Sequence, residues 1–177
     1  MSKIGLRKEL AGFDADQLRQ IILKAYDSSA EAKAYFEFFL NPDVEAFVEE
    51  RNDAINKELR RGKYGRCKAR ISEIRRQIKM AVNYGLPPEA VAKVMLNAIT
   101  LLYSLEQYLR FPDTLINGTQ KLVGDYIVYC NRYEMVAQAM CDINALLDRE
   151  ELGSRYFRKL LRQAAVNAVE QCSRLQA

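Results

Sequence analysis

Apolar residues recur at helical spacing along nearly the whole chain, and no stretch alternates apolar and polar residues over a useful length. That property disfavours sheets, sandwiches and barrels and points to an all-α fold. The helices can be read from their start and stop signals. Asp14 and Gln17 have capping-box spacing, ahead of Leu18, Ile21, Ile22 and Ala25 at i, i+3, i+4 and i+7. Ser28 with Glu31 opens the next helix, which is crowded with Tyr35, Phe36, Phe38, Phe39 and Leu40. Asn41-Pro42 is a restart signal, and the helix it begins runs to about Arg61, where Gly62 stops it.

Lys63-Tyr64, between Gly62 and Gly65, reads as a loop, followed by a helix over roughly 66–84 that ends at Gly85. Leu86-Pro87-Pro88 opens a central helix that reaches Arg110 before Pro112 ends it. Helices over 113–130, 132–147 and 154–174 follow, the first weakened near its start by Asn117-Gly118. Short connections favour antiparallel neighbours. The expectation is one all-α domain over 1–177, with seven or eight helices in an irregular bundle or short solenoid-like array.

A length of 177 residues suits one core, and 49% hydrophobic with 28% charged residues is ordinary for a soluble globular chain. The start, Met1 to Lys8, lacks the apolar core of a signal peptide. The most apolar stretch, 91–109, is interrupted by Lys93, Asn97, Thr100, Ser104 and Glu106, which suits a buried helix rather than a membrane span. A cytoplasmic location without a membrane partner is expected. Cys67, Cys130, Cys141 and Cys172 form no Cys-x-x-Cys pair and read as reduced thiols. The chain has no histidine, so it lacks the commonest general base, Ser-His and Cys-His pairs, and the usual zinc and di-iron ligands. No glycine-rich phosphate loop or nucleophile elbow occurs. No cofactor and no metal are expected, and the chain reads as non-catalytic.

Charge is concentrated. Between Lys57 and Lys79 stand ten basic and two acidic residues, a net +8 in 23 residues, while the rest of the chain carries 17 basic and 21 acidic residues, a net −4. On a wheel for a helix over 66–84, Cys67, Ile71, Ile74, Ile78 and Val82 share one apolar stripe. Lys68, Arg75, Arg76 and Lys79 fall on one flank, and Arg60, Arg61, Lys63 and Tyr64 lead into it. These eight form the candidate anion- or partner-binding set. Three readings stand: a solvated face pairing with the chain's own acids such as Glu45, Glu49 and Asp53; an acidic protein partner; or nucleic acid, held through phosphates with little sequence preference. Tyr64 suits stacking on an exposed base.

Other residues carry narrower expectations. Cys67 reads as a core thiol rather than a reactive one. Arg51 falls in the middle of the stripe Val44, Phe47, Val48, Ile55, Leu59 and requires an internal partner or an anionic ligand. A histidine-free enzyme using carboxylates and Arg51 in an inter-helix cleft is a third functional class. Glu45, Glu49 and Asp53 recur every four residues and read as a solvated face rather than a metal row. The aromatic run Tyr35, Phe36, Phe38 and Phe39 implies a helix buried on most of its surface, or a partner interface on the side left over.

The segments Lys8-Glu9-Leu10, Leu18, Ile22, Tyr26-Asp27, Lys33, Tyr35-Phe36 and Phe39-Leu40-Asn41-Pro42-Asp43 form a pattern, with Lys68-Ala69-Arg70-Ile71-Ser72 after them. The pattern resembles a bacterial family of small helical proteins classed as a domain of unknown function. It covers the N-terminal half and fades after Pro88. The resemblance implies a helical, bacterial, cytosolic protein and brings no activity with it.

Overall fold

The computed structural model describes residues 1–176, without the side chains of residues 63, 175 and 176. Among the described residues there are nine α-helices: α1 (Lys3–Leu10), α2 (Ala15–Ser28), α3 (Ala30–Leu40), α4 (Val44–Leu59), α5 (Ile71–Asn83), α6 (Pro88–Glu106), α7 (Asp113–Arg132), α8 (Val136–Leu147) and α9 (Arg155–Gln176). The all-α expectation holds. The additional helix is α1, whose first turn is closed by the Ser2 hydroxyl accepting from the Gly5 N–H at 3.1 Å. Two short strands, β1 (Gly62–Lys63) and β2 (Arg66–Cys67), pair antiparallel between α4 and α5.

Backbone contacts divide the chain into two compact units, residues 1–43 and residues 44 onward. In the first, the Asp14–Gln17 capping box forms as read: the Gln17 N–H donates to Asp14 at 2.8 Å and the Asp14 N–H to Gln17 at 3.0 Å. Ser29 rather than Ser28 caps α3, accepting from the Ala32 N–H at 3.2 Å. Helices α2 and α3 pack as a hairpin, with the Tyr26 hydroxyl donating to Glu37 at 3.3 Å. No residue of these three helices is fully buried. Phe39 and Leu40 are 67% and 73% exposed, so α3 is not enclosed on most of its surface.

In the second unit α6 is the central helix. Its apolar residues are spread round the helix, and it packs against α4, α5, α7, α8 and α9. Pro88 at its start has the fixed φ that a first turn needs. It ends at Glu106 and not Arg110, because Arg110 leaves the helix to pair its backbone with the hairpin. The Glu106 carboxylate accepts from the Ser154 N–H and hydroxyl at 3.1 and 3.0 Å. The Ser154 hydroxyl in turn accepts from the Phe157 N–H at 3.1 Å, so the end of α6 fixes the start of α9. Helix α7 runs unbroken through Asn117-Gly118. A Cβ on Gly118 would lie 2.7 Å from Ile71 Cγ1, so the glycine that weakens the helix locally lets α5 approach α7.

Gly153 makes the tighter approach. It is buried, and a Cβ there would fall on the ring of Tyr103, which is itself fully buried and stacked on Phe157 at 6.5 Å. Its backbone is extended, so space and not φ forbids a side chain. Gly153→Ala is expected to destabilise the protein by about 1–3 kcal/mol through overpacking. A thermal melt showing no loss would mean the Tyr103 ring gives way freely.

Candidate functional site

The basic segment is organised by one acid. Glu58, near the end of α4, is buried, and its carboxylate takes up the start of α5. The Arg70 N–H donates to it at 2.9 Å, Arg70 Nε and Nη2 each at 3.1 Å, and Arg61 Nη1 at 3.3 Å. The Arg70 fork meets both carboxylate oxygens, the geometry in which charge-assisted bonds are strongest. The Arg70 side chain, helped by its backbone N–H and by Arg61, holds the Glu58 carboxyl down at about 2 against the opposition of burial.

Between Arg61 and Arg70 the chain is not helical, contrary to the helical reading of 66–70. The Arg110 N–H donates to the Gly65 carbonyl at 2.8 Å, the Cys67 N–H to the Arg110 carbonyl at 3.1 Å, and the Lys68 N–H to the Arg61 carbonyl at 2.7 Å. Cys67 points inward and is 3% exposed, and burial pushes its thiol pKa up, which fits a core thiol. Alternation then puts Arg66 and Lys68 on the outward face. Arg66 bridges Arg110 in parallel register, and Arg66, Lys68 and Arg110 line a depression of about 350 Å³ with Phe111 and Pro112. No ion pair engages these three among the described residues.

The hairpin tip is Tyr64-Gly65, with φ of +54° and +71°. Both centres in the left-handed region are the mark of a tight two-residue turn, where Asn or Gly is the usual first residue. Tyr64 stands there 99% exposed, at a backbone cost of about 1 kcal/mol that no packing contact offsets. Arg60 and Tyr64 line a second cleft of about 400 Å³ with Leu101 and Leu105.

The flank expected to hold Lys68, Arg75, Arg76 and Lys79 together is divided. Lys68 belongs to the hairpin. Arg75 and Lys79, one turn apart, line a groove with α7, where Arg75 pairs with Asp125 at 2.6 Å. Arg76 pairs with Glu73 at 2.6 Å and reaches Met80 at 3.7 Å. Met80 also meets Arg51, whose Nη1 lies 3.3 Å from Met80 Sδ and from the Gln77 oxygen. Arg51 further pairs with Glu50 and lies 4.8 Å over the Phe47 ring. It is 6% exposed, buried among its own partners rather than forming the wall of an open cleft. The side chain of Lys63 lies outside the described residues, although its backbone stands opposite Arg66.

Internal pairing therefore takes up Arg61, Arg70, Arg75 and Arg76, through Glu58, Asp125 and Glu73 rather than the expected row Glu45, Glu49 and Asp53. The exposed remainder with no ion pair among the described residues is Lys57, Arg60, Arg66, Lys68 and Lys79, joined by Arg110 and Arg132 from outside the segment. Residue spacing could not reveal Arg110 or Arg132, since both join through tertiary contacts. Among the described residues, no helix is long and apolar enough to cross a membrane, and no three Cys, Asp or Glu gather as metal ligands.

These features define an all-α protein with a basic hairpin set between two of its helices. The chain belongs to a family of unknown function, DUF6155, whose model matches residues 1–146, well past the N-terminal half and into the last turn of α8. No curated protein and no solved structure matches it.

Glu58→Gln is expected to lower stability by about 1–3 kcal/mol, by weakening a set of charge-assisted bonds. The folded-state pKa of Glu58 lies below the ordinary 4.5. Its contribution is therefore fully present above 4.5 and fades as pH falls from there to about 2. Denaturant melts of both proteins should differ at pH 7 and converge in acid; a gap unchanged down to the lowest pH would remove the carboxylate from this role.

Proposed function

We propose that this chain is a non-catalytic adaptor or scaffold of the bacterial cytoplasm that binds an anionic partner through the basic surface at residues 60–79. The observation that carries the reading is the exposed group Arg60, Arg66 and Lys68, with Arg110, which enter no ion pair among the described residues. Like charges side by side across a strand pair are destabilising, and an arriving anion relieves them. Arg61, Arg75 and Arg76 support the surface through their internal pairs rather than as free cations. Lys79 stands exposed on α5.

A second reading, a nucleic-acid-binding protein without sequence preference, is favoured by Tyr64. A fully exposed aromatic ring beside unpaired cations matches the stacking-plus-phosphate mode of single-strand binders.

The triple variant Arg60→Glu, Arg66→Glu, Lys68→Glu tests both. Poly-L-glutamate and a single-stranded oligonucleotide serve as probes. The adaptor reading expects poly-L-glutamate to bind the parent protein and to be lost by the variant. The nucleic-acid reading expects the oligonucleotide to bind with roughly a twentyfold loss between about 50 and 200 mM salt, as three phosphate contacts imply. Equal binding by parent and variant would sink both readings.

Tyr64→Asn separates fold from function at the tip. Asparagine suits the left-handed turn, so stability should rise by about 0.5–1 kcal/mol. Oligonucleotide affinity should fall about tenfold with the lost stacking. A variant that is both more stable and equally tight would leave Tyr64 without a binding role.

A further inference from the structure

A second surface lies on α5, built from residues the hairpin does not use. Arg75, Ile78, Lys79 and Val82 recur along one face of α5, and Leu122, Asp125, Tyr129 and Arg132 along one face of α7. Between them runs a groove of about 450 Å³. Val82 and Val128 are 46% and 41% exposed, so its apolar strip is open to solvent. Ile78, Met95 and Leu122 continue the strip inward. From Arg75 to Val82 the α5 wall spans about 10 Å, or two helical turns.

The charges lining the groove are unequal. Arg75, Lys79 and Arg132 face a single carboxylate, Asp125, which already pairs with Arg75 at 2.6 Å. Lys79 and Arg132 are exposed and enter no ion pair among the described residues. The Nη2 nitrogen of Arg75 is buried with no acceptor, although an orphaned charged donor is costly. An apolar strip with the exposed cations Lys79 and Arg132 beside it asks for a ligand that is apolar along one line and anionic beside it. A small carboxylate fits less well, because such ligands bury most of their surface in an enclosed cavity. Here both valine walls stand open.

We infer that the α5–α7 groove docks an acidic amphipathic helix of a partner protein. Apolar side chains at i, i+3, i+4 and i+7 lie along the Val82–Val128 strip, and flanking carboxylates meet Lys79 and Arg132. The inference rests on the acidic-partner reading above and gives that partner a binding form and a second set of contacts.

The probe is a synthetic model helix of about 18 residues, or five turns. It carries leucines at i, i+3, i+4 and i+7 and glutamates on either side; a control replaces every glutamate by lysine. Fluorescence anisotropy should show the glutamate helix binding at least about tenfold tighter than the lysine helix, since like charges oppose docking. Methyl NMR shifts should fall on Val82 and Val128. The double variant Val82→Asp, Val128→Asp changes exposed positions. It should keep its thermal melt and lose at least about tenfold in affinity, while the hairpin variant Arg60→Glu, Arg66→Glu, Lys68→Glu should stay within about twofold, because distant sites act independently.

Equal affinity for the two helices, or full affinity in the double variant, would overturn the inference. Shifts confined to the hairpin would overturn it while leaving the proposed function standing. Saturable binding of dodecanoate without binding of the peptide would make this a small-carboxylate site and overturn helix docking. Groove binding that persists while poly-L-glutamate fails to bind the parent would instead count against the hairpin surface alone.

Discussion

The buried carboxylate of Glu58 governs how the basic segment is presented. Without it, the end of α4 and the start of α5 would bring Arg61 and Arg70 together with nothing between them. With it, both arginines become internal cross-links, and the Arg70 backbone N–H is met at the very first turn of α5. The residues between them must then leave and return over a short span, which a tight hairpin achieves. One acid thus does two things: it neutralises part of the segment's charge, and it fixes the place from which the remaining charge projects.

The division of charge on α5 follows from helix geometry. Successive residues are 100° apart, so neighbours such as Arg75 and Arg76 face different elements. Arg75 turns toward α7 and finds Asp125; Arg76 turns toward Met80 and finds Glu73. A relay from Arg51 through Gln77 to Glu73 continues behind Arg76, with Gln77 donating to Glu73 at 2.9 Å. A buried polar network of this kind is most useful when every member is met. Arg51 retains one unmatched nitrogen, Nε, so its network is nearly but not fully satisfied.

Most helix limits were legible because they are local. Gly85 closes α5 through its own left-handed backbone, and the Asp14–Gln17 box caps α2 through a contact three residues long. The errors arise where a distant partner overrides the local pattern. Residues 66–70 carry helical spacing, but the backbone of Arg110 offers strand pairing, and sequence spacing does not reveal that partner. Cys67 faces inward on either reading, because over so short a run helical and strand periods both put it inside. The pairing of α5 with α7 was equally hidden, so the groove had only one wall in the sequence. Gly118 shows the same limit from the other side, since its weakness in a helix is local and its use against Ile71 is tertiary.

Residues left in conflict with their surroundings are the ones whose presence folding does not explain. Arg66 and Arg110 sit side by side with no ion pair among the described residues, and Tyr64 holds a turn position that asparagine would fill more cheaply. Arg75, Arg76 and Arg70, a few residues away, have each found a carboxylate. The same chain that matches these arginines leaves Arg66, Lys68 and Arg110 without an ion pair among the described residues. Local conflict of this sort is expected at sites kept for contact with something else, because the energy it costs the free protein is returned on binding. Under the proposed function, Glu58 would leave the hairpin face to an anion by taking up Arg61 and Arg70, which otherwise compete for it.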